Sequence, residues 1–142
     1  IAQAAAQQLR EVGIHCTVDI PAVMDWGGQM ACLIGWGSPF DADDHTYKVF
    51  GTDKGANYSG YSNEKVDEYL TLARQYEDQE TRAKYYDLFQ EELAKDPAYA
   101  FICYIDANYV ADSDIKGISE KTVLGHHGVG IFWNIQEWEI VK

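Results

Sequence analysis

An apolar run, Met30-Ala31-Cys32-Leu33-Ile34, breaks into Gly35-Trp36-Gly37-Ser38-Pro39 and then into the acidic stretch Asp41-Ala42-Asp43-Asp44. This junction constrains the chain most. Five apolar residues in succession read as a short buried strand. A Trp between two glycines, where that strand meets its loop, stands at a sheet edge, the place where α/β domains usually hold ligands. The glycines let backbone approach a ligand closely, and Pro39 stiffens the loop. A Trp in this place serves equally to close the end of the core.

Around the junction, helices alternate with strands. Ile1, Ala5, Leu9 and Val12 share one helical face, with Gly13 at the C′ position. No capping residue precedes them, so the chain opens inside a helix, as a piece of a longer protein would. Ile14, Cys16, Val18 and Ile20 alternate with His15, Thr17 and Asp19 as a half-buried strand ended by Pro21. Trp26-Gly27-Gly28 falls in the loop 21–29. Residues 45–50 form a short helix with Asp43 or Asp44 as N-cap. The segment 51–62, with Gly51, Gly55, Asn57, Ser59 and Gly60, is a turn-rich loop.

Two longer helices follow. Ser62 caps the first, Tyr61 and Val66 form its hydrophobic staple, and Val66, Tyr69, Leu70, Ala73 and Tyr76 its apolar stripe. Asp78 caps the second, whose inner face is Ala83, Tyr86, Phe89 and Leu93 and whose stop is Asp96-Pro97. Residues 99–105 are apolar at odd and even positions alike, the mark of a central strand covered on two sides. The predicted fold class is α/β, a layered sheet with helices packed on it, in one domain over residues 1–142.

Composition narrows the function. A net charge of −12 opposes nucleic acid and anionic membrane, both of which need clustered Lys and Arg. Ten Tyr, five Phe and four Trp are more aromatics than packing requires and suggest a contact surface. Cys16, Cys32 and Cys103 are an odd, widely spaced set, neither a disulfide framework nor a zinc site, and are expected to be buried free thiols.

Three kinds of chemistry compete. A thiol enzyme would use Cys103 with a His, but no local signature surrounds it, and no nucleophile elbow or phosphate loop occurs. A metal module would use His126-His127, or the cluster Asp41, Asp43, Asp44 and His45, which lacks the loop length of a calcium hand and is explained as well by helix capping. A binding site without chemistry would use Trp26, Trp36, Tyr58 and Tyr61, which all stand in glycine-bearing loops beside Ser, Asn and Asp. Such rings build a pocket wall with a few directional hydrogen bonds.

The order of these features resembles a known family. Leu9-Arg10-Glu11-Val12-Gly13-Ile14, Leu33-Ile34-Gly35-Trp36-Gly37, Asp41-Ala42-Asp43, Asn57-Tyr58-Ser59-Gly60-Tyr61-Ser62-Asn63-Glu64-Lys65-Val66-Asp67 and Arg82 with Tyr85-Tyr86 together are similar to the C-terminal lobe of the family 5 extracellular solute-binding proteins. These are the peptide, nickel and oligosaccharide receptors of ABC importers. The resemblance implies a periplasmic-binding-protein-like class II lobe that closes on a ligand against a separate N-terminal lobe. It also implies an extracytoplasmic or lipoprotein parent, an ABC permease as partner, no enzymatic activity and no cofactor. By position it places Trp36, Gly37, Ser38, Pro39 and Asp41 in the cleft. Trp26 resembles the cleft Trp of peptide-binding members, and Tyr58 joins this set as an aromatic loop residue. Two departures stand out. The segment between Trp26 and Trp36 is shorter than in most members. Ser38-Pro39-Phe40 occupies the place where peptide receptors carry the Asp that pairs with a ligand amine, with Asp41 slightly later. An oligopeptide or similar extended polar solute is the expected ligand, with nickel or a metal chelate as the alternative.

Overall fold

The computed structural model describes residues 1–25, 31–37, 41–106, 108–119 and 130–141. The chain divides into two compact units, Ile1–Gly35 and Trp36–Lys142.

In the first unit, α1 runs Ala2–Glu11 with Ile1 at the N-cap and no side-chain cap. Gly13 takes φ +86° just past its end, the left-handed conformation that lets the chain leave the helix. The stripe Ile1, Leu9, Val12 is exposed, and only Ala6 of the helix is buried. Neither the strand expected over 14–20 nor that over 30–34 forms among the described residues. Ile14, Ile20 and Leu33 are exposed. Alternation specifies which side chains share a face, but a strand also needs a neighbour to take its N–H and C=O groups. The sequence pattern does not supply that neighbour.

The second unit is built on helices. α2 (Ala42–Phe50), α3 (Glu64–Ala73) and α4 (Gln79–Leu93) precede a two-stranded antiparallel pair, β1 (Ile115–Lys116) with β2 (Glu139–Ile140), in the register Ile115 opposite Ile140. The core lies between α3 and α4. Val66, Leu70 and Ala73 are fully buried against Tyr86, Phe89 and Leu93, with Tyr61 below them and Tyr47 and Phe50 of α2 alongside. Both stripes read from the sequence are found, with two exceptions. Ala83 is exposed, and Tyr76 stacks on Tyr85 at the surface with ring centres 5.6 Å apart.

The caps fall close to their expected places. Asp78 Oδ1 accepts from Thr81 N at 2.8 Å, as expected. α3 is capped by Asn63, not Ser62: Asn63 Oδ1 accepts from Lys65 N and Val66 N at 3.0 and 3.2 Å, while the Ser62 hydroxyl accepts from Thr52. α2 starts earlier than expected. Its cap is Asp41, which leaves Asp43 and Asp44 in the first turn, where the helix dipole favours negative charge.

The layered sheet is therefore not found among the described residues, which form a mixed assembly of helices and one small sheet. Residues 99–105 are not a covered central strand. Tyr99 and Phe101 pack on Phe50, but Phe101, Ile102, Tyr104 and Ile105 are exposed. Helices cover one side of this run, and among the described residues no second layer covers the other. The cysteines follow suit: Cys32 and Cys103 are exposed and Cys16 half-buried, all free, because among the described residues no layer covers the runs that carry them. No helix among the described residues is long and apolar enough to cross a membrane.

The tail is tied to β1 by one buried polar residue. Asn134, 2% exposed, sits at a kink in the 3₁₀ segment Gly130–Glu137. It donates to the Gly117 carbonyl at 2.8 Å and accepts from Trp138 Nε1 at 3.1 Å. Gly117 has φ +87°, and any Cβ there would meet the Glu137 carbonyl.

Candidate ligand-binding site

Trp36 and Gly37 open the second unit, and α2 stands directly behind them. The His45 imidazole in the first turns of α2 places Nδ1 2.9 Å from the Gly37 carbonyl oxygen. It also lies tilted against the Trp36 ring, with centroids 5.6 Å apart. Tyr58 stacks on Trp36 from another direction, 6.3 Å between centroids and 9° between planes. Two residues singled out in the sequence, Trp36 and Tyr58, thus meet although α2 separates them in the chain, and His45 of that helix joins them. The Trp36 Nε1 is buried and donates to no described residue, so the cluster holds an unused donor.

Tyr58 owes its position to Asn57. The Asn57 amide donates to the Gly51 and Tyr61 carbonyls at 2.9 and 2.7 Å. Its Oδ1 accepts from Tyr61 N and the Ser59 hydroxyl, each at 3.1 Å. One side chain therefore uses both its donors and both acceptor positions to fold the loop 51–61 back on itself. Asp67 adds a link from α3, accepting from Thr52 N at 2.8 Å.

The acidic cluster at the start of α2 is neutralised pair by pair. Asp41 Oδ1 caps the helix through Asp43 N at 2.8 Å and also accepts from Arg82 Nη2 of α4 at 2.6 Å. Arg82 reaches on toward the Tyr86 hydroxyl at 3.5 Å. The Arg82 guanidinium, and then the Asp43 N–H, hold the Asp41 carboxyl below the usual carboxylate range, and Asp41 in turn raises Arg82 above its own. Asp43 pairs with Arg74 Nε at 3.2 Å, out of hydrogen-bond alignment, and that guanidinium lies 4.0 Å from the centre of the Tyr47 ring. Asp44 Oδ1 accepts from Lys48 at 2.8 Å, which lowers its pKa, and its Oδ2 lies 3.7 Å from His45 Nε2.

These pairs answer the metal reading of this cluster. Among the described residues no group of three or more His, Cys, Asp or Glu is placed to hold an ion. His126 and His127 lie outside the described residues, as do Trp26, Ser38 and Pro39. Arg82 and Asn57 entered the sequence reading only as members of a turn-rich loop and of the motifs behind the resemblance, and their roles in building the site were not predicted, since each acts through partners the fold brings to it. His45 was visible there only as a member of the acidic cluster.

A separate apolar groove of about 670 Å³ runs beside Thr46, Phe50, Phe89, Leu93, Phe101 and Tyr104. Of the sequence-predicted site residues that are described, Trp36, Gly37, Asp41 and Tyr58, none lines it.

No family model and no curated protein matches the sequence. Among solved structures, the chain is similar to NikZ from Campylobacter jejuni, in complex with Ni(L-His), at 37% identity and a TM-score of 0.78. The match covers 97% of this chain and 30% of that one. That neighbour holds Ni(L-His), and this chain is similar over almost its whole length to part of it.

Proposed function

We propose that this chain is the ligand-binding part of the solute receptor of an ABC importer, acting outside the cytoplasm, and that its solute is a small nickel chelate. The observation that carries this reading is the likeness to a structure that holds Ni(L-His). The site chemistry supports it. Asp41, Asp43 and Asp44 are each engaged by a cation, so they do not form a cage for a bare ion. A metal that arrives with its own chelator needs few protein donors and instead needs flat, partly apolar walls with a few hydrogen bonds. Trp36 stacked on Tyr58, with the unused Trp36 Nε1 and the Gly37 backbone nearby, is a wall of that kind. A second lobe would close over the ligand, and a permease would recognise the closed form.

The oligopeptide reading ranks second. It requires an acidic anchor for the ligand's amine, and Asp41 already serves Arg82 and the α2 cap with the same oxygen. Native mass spectrometry of the chain with Ni(L-His) and with a mixture of short peptides separates the two. The expected adduct carries one nickel and histidine. A peptide adduct in its place would restore the oligopeptide as ligand.

A further inference from the structure

We propose that His45 is the positioning residue of the aromatic wall, setting Trp36 and Gly37 for the chelate through its Nδ1–H and acting on the wall rather than on the metal, a role that rests on the nickel-chelate reading above. Trp36 and Gly37 belong to no helix or strand, so among the described residues no ladder of backbone hydrogen bonds fixes them. Gly37 also has no side chain to pack and hold its peptide. His45 supplies what is missing. Its Nδ1 lies 2.9 Å from the Gly37 carbonyl oxygen, and a carbonyl oxygen only accepts, so Nδ1 carries the ring proton. The same ring packs against Trp36, with centroids 5.6 Å apart. One side chain thus holds two neighbouring residues, Gly37 by a hydrogen bond and Trp36 by ring contact.

His45 is itself held. It stands on α2, whose cap Asp41 is fastened to Arg82 of α4 at 2.6 Å. Its Nε2 faces Asp44 of the same helix, 3.7 Å from Oδ2 and beyond hydrogen-bond length, while the other Asp44 oxygen is taken by Lys48. Contacts therefore run from α4 through Asp41 and His45 to Trp36, and on to Tyr58, whose ring lies 9° from parallel with it. A flat chelate stacks best on a ring whose tilt is already set, because ordering a free ring on binding consumes part of the affinity. A histidine that served stability alone would lower affinity only in step with the folded fraction.

The test compares two variants of the whole chain. His45→Leu removes the donor. His45→Asn carries an amide N–H as far from the backbone as Nδ1 and has nothing at the place of Nε2, so it keeps the bond to Gly37 alone. Histidine-selective long-range ¹H–¹⁵N NMR of the unaltered chain is expected to show His45 as the Nδ1–H tautomer. In calorimetric titration with Ni(L-His), referred to the folded fraction from urea unfolding, His45→Leu should bind ~10-fold more weakly, the worth of about one hydrogen bond. His45→Asn should recover most of that loss. Nuclear Overhauser contacts between the Trp36 and Tyr58 rings should follow the same order, lost in His45→Leu and regained in His45→Asn. An Nε2–H tautomer, unchanged affinity in His45→Leu, or His45→Asn as weak as His45→Leu would overturn the positioning role and leave the nickel-chelate reading standing. Absence of saturable binding in the unaltered chain would overturn that reading, and this inference with it.

Discussion

Arg82 on α4 and Asp41 at the cap of α2 meet at 2.6 Å across 41 positions of sequence. The Asp41 oxygen that accepts from Arg82 is the one that caps α2, so one atom both starts the helix and fastens it to α4. His45 and Lys48 project from this helix, and Trp36 and Gly37 stand against it through His45. The position of the candidate site thus depends on a residue far outside the motif that revealed it.

Asp41→Ala removes the cap and the ion pair together and is expected to lower stability by about 1 kcal/mol, the usual loss for a deleted N-cap. Asp41→Asn keeps a cap of similar quality and loses only the charge. Its urea midpoint should lie clearly nearer the unaltered chain than that of Asp41→Ala. Equal losses in the two variants would mean that the Arg82 contact, not the cap, matters at this position.

Acid should weaken the fold through its paired carboxylates. Asp41, Asp44, Asp78 and Glu92 are held below their ordinary values by Arg82, Lys48, Thr81 and Lys95 respectively. A depressed folded-state pKa stabilises the fold above the unfolded value and is lost as pH falls through the folded value. Loss therefore begins below about 4.5, the ordinary Glu value, for Glu92 and below about 3.8, the ordinary Asp value, for the three aspartates. From pH 7 down to the isoelectric point near 4.5, falling negative charge works the other way by relieving self-repulsion. Urea midpoints should hold or rise to about pH 4.5 and then drop. Asp41→Asn and Asp78→Asn should each flatten the acid limb. A midpoint still rising below pH 3.8 would contradict this assignment of the pairs.

The α3–α4 core should be the stability centre. Leu70 is 0% exposed and is among the largest fully buried side chains. Leu70→Ala is expected to cost about 2–5 kcal/mol by leaving a cavity. The same truncation at Leu33, which is exposed, should change the urea midpoint little.

Asn57 separates hydrogen bonding from packing. Asn57→Ala loses four hydrogen bonds and should cost about 2 kcal/mol. Asn57→Asp should be worse despite its matching size, because it turns a carboxylate oxygen toward the Gly51 and Tyr61 carbonyls. In both variants the Trp36–Tyr58 stack should loosen, seen as a change in near-ultraviolet circular dichroism. An Asp variant as stable as the parent would contradict the donor assignment of this amide.

The helices were legible because each carries its own signals. Val66, Leu70 and Ala73, like Tyr86, Phe89 and Leu93, repeat at helical spacing, and Asp78 caps where expected. The caps of α2 and α3 shifted because several competent residues stand in succession, and backbone geometry chose Asp41 and Asn63 among them. The runs 14–20 and 99–105 misled because apolar patterning states a need for cover without providing it. Pairing of β1 with β2 rests on two residues per strand and on Asn134, too little for any periodicity to announce. At the site, glycine-flanked Trp36 and the Tyr58 loop were readable. The Arg82 and Asn57 contacts that hold them were not, because hydrogen-bond partners are set by the fold.

The most direct measurement is a calorimetric titration of the chain with Ni(L-His) into the millimolar range, with L-histidine alone and a tripeptide as controls, repeated in Trp36→Ala. Saturable binding of Ni(L-His) only, weakened at least ~10-fold when the Trp36 ring and its stack on Tyr58 are removed, is the expected result. Binding of the tripeptide in its place, no saturable binding of Ni(L-His), or equal affinity in Trp36→Ala would contradict a nickel-chelate site on this aromatic wall.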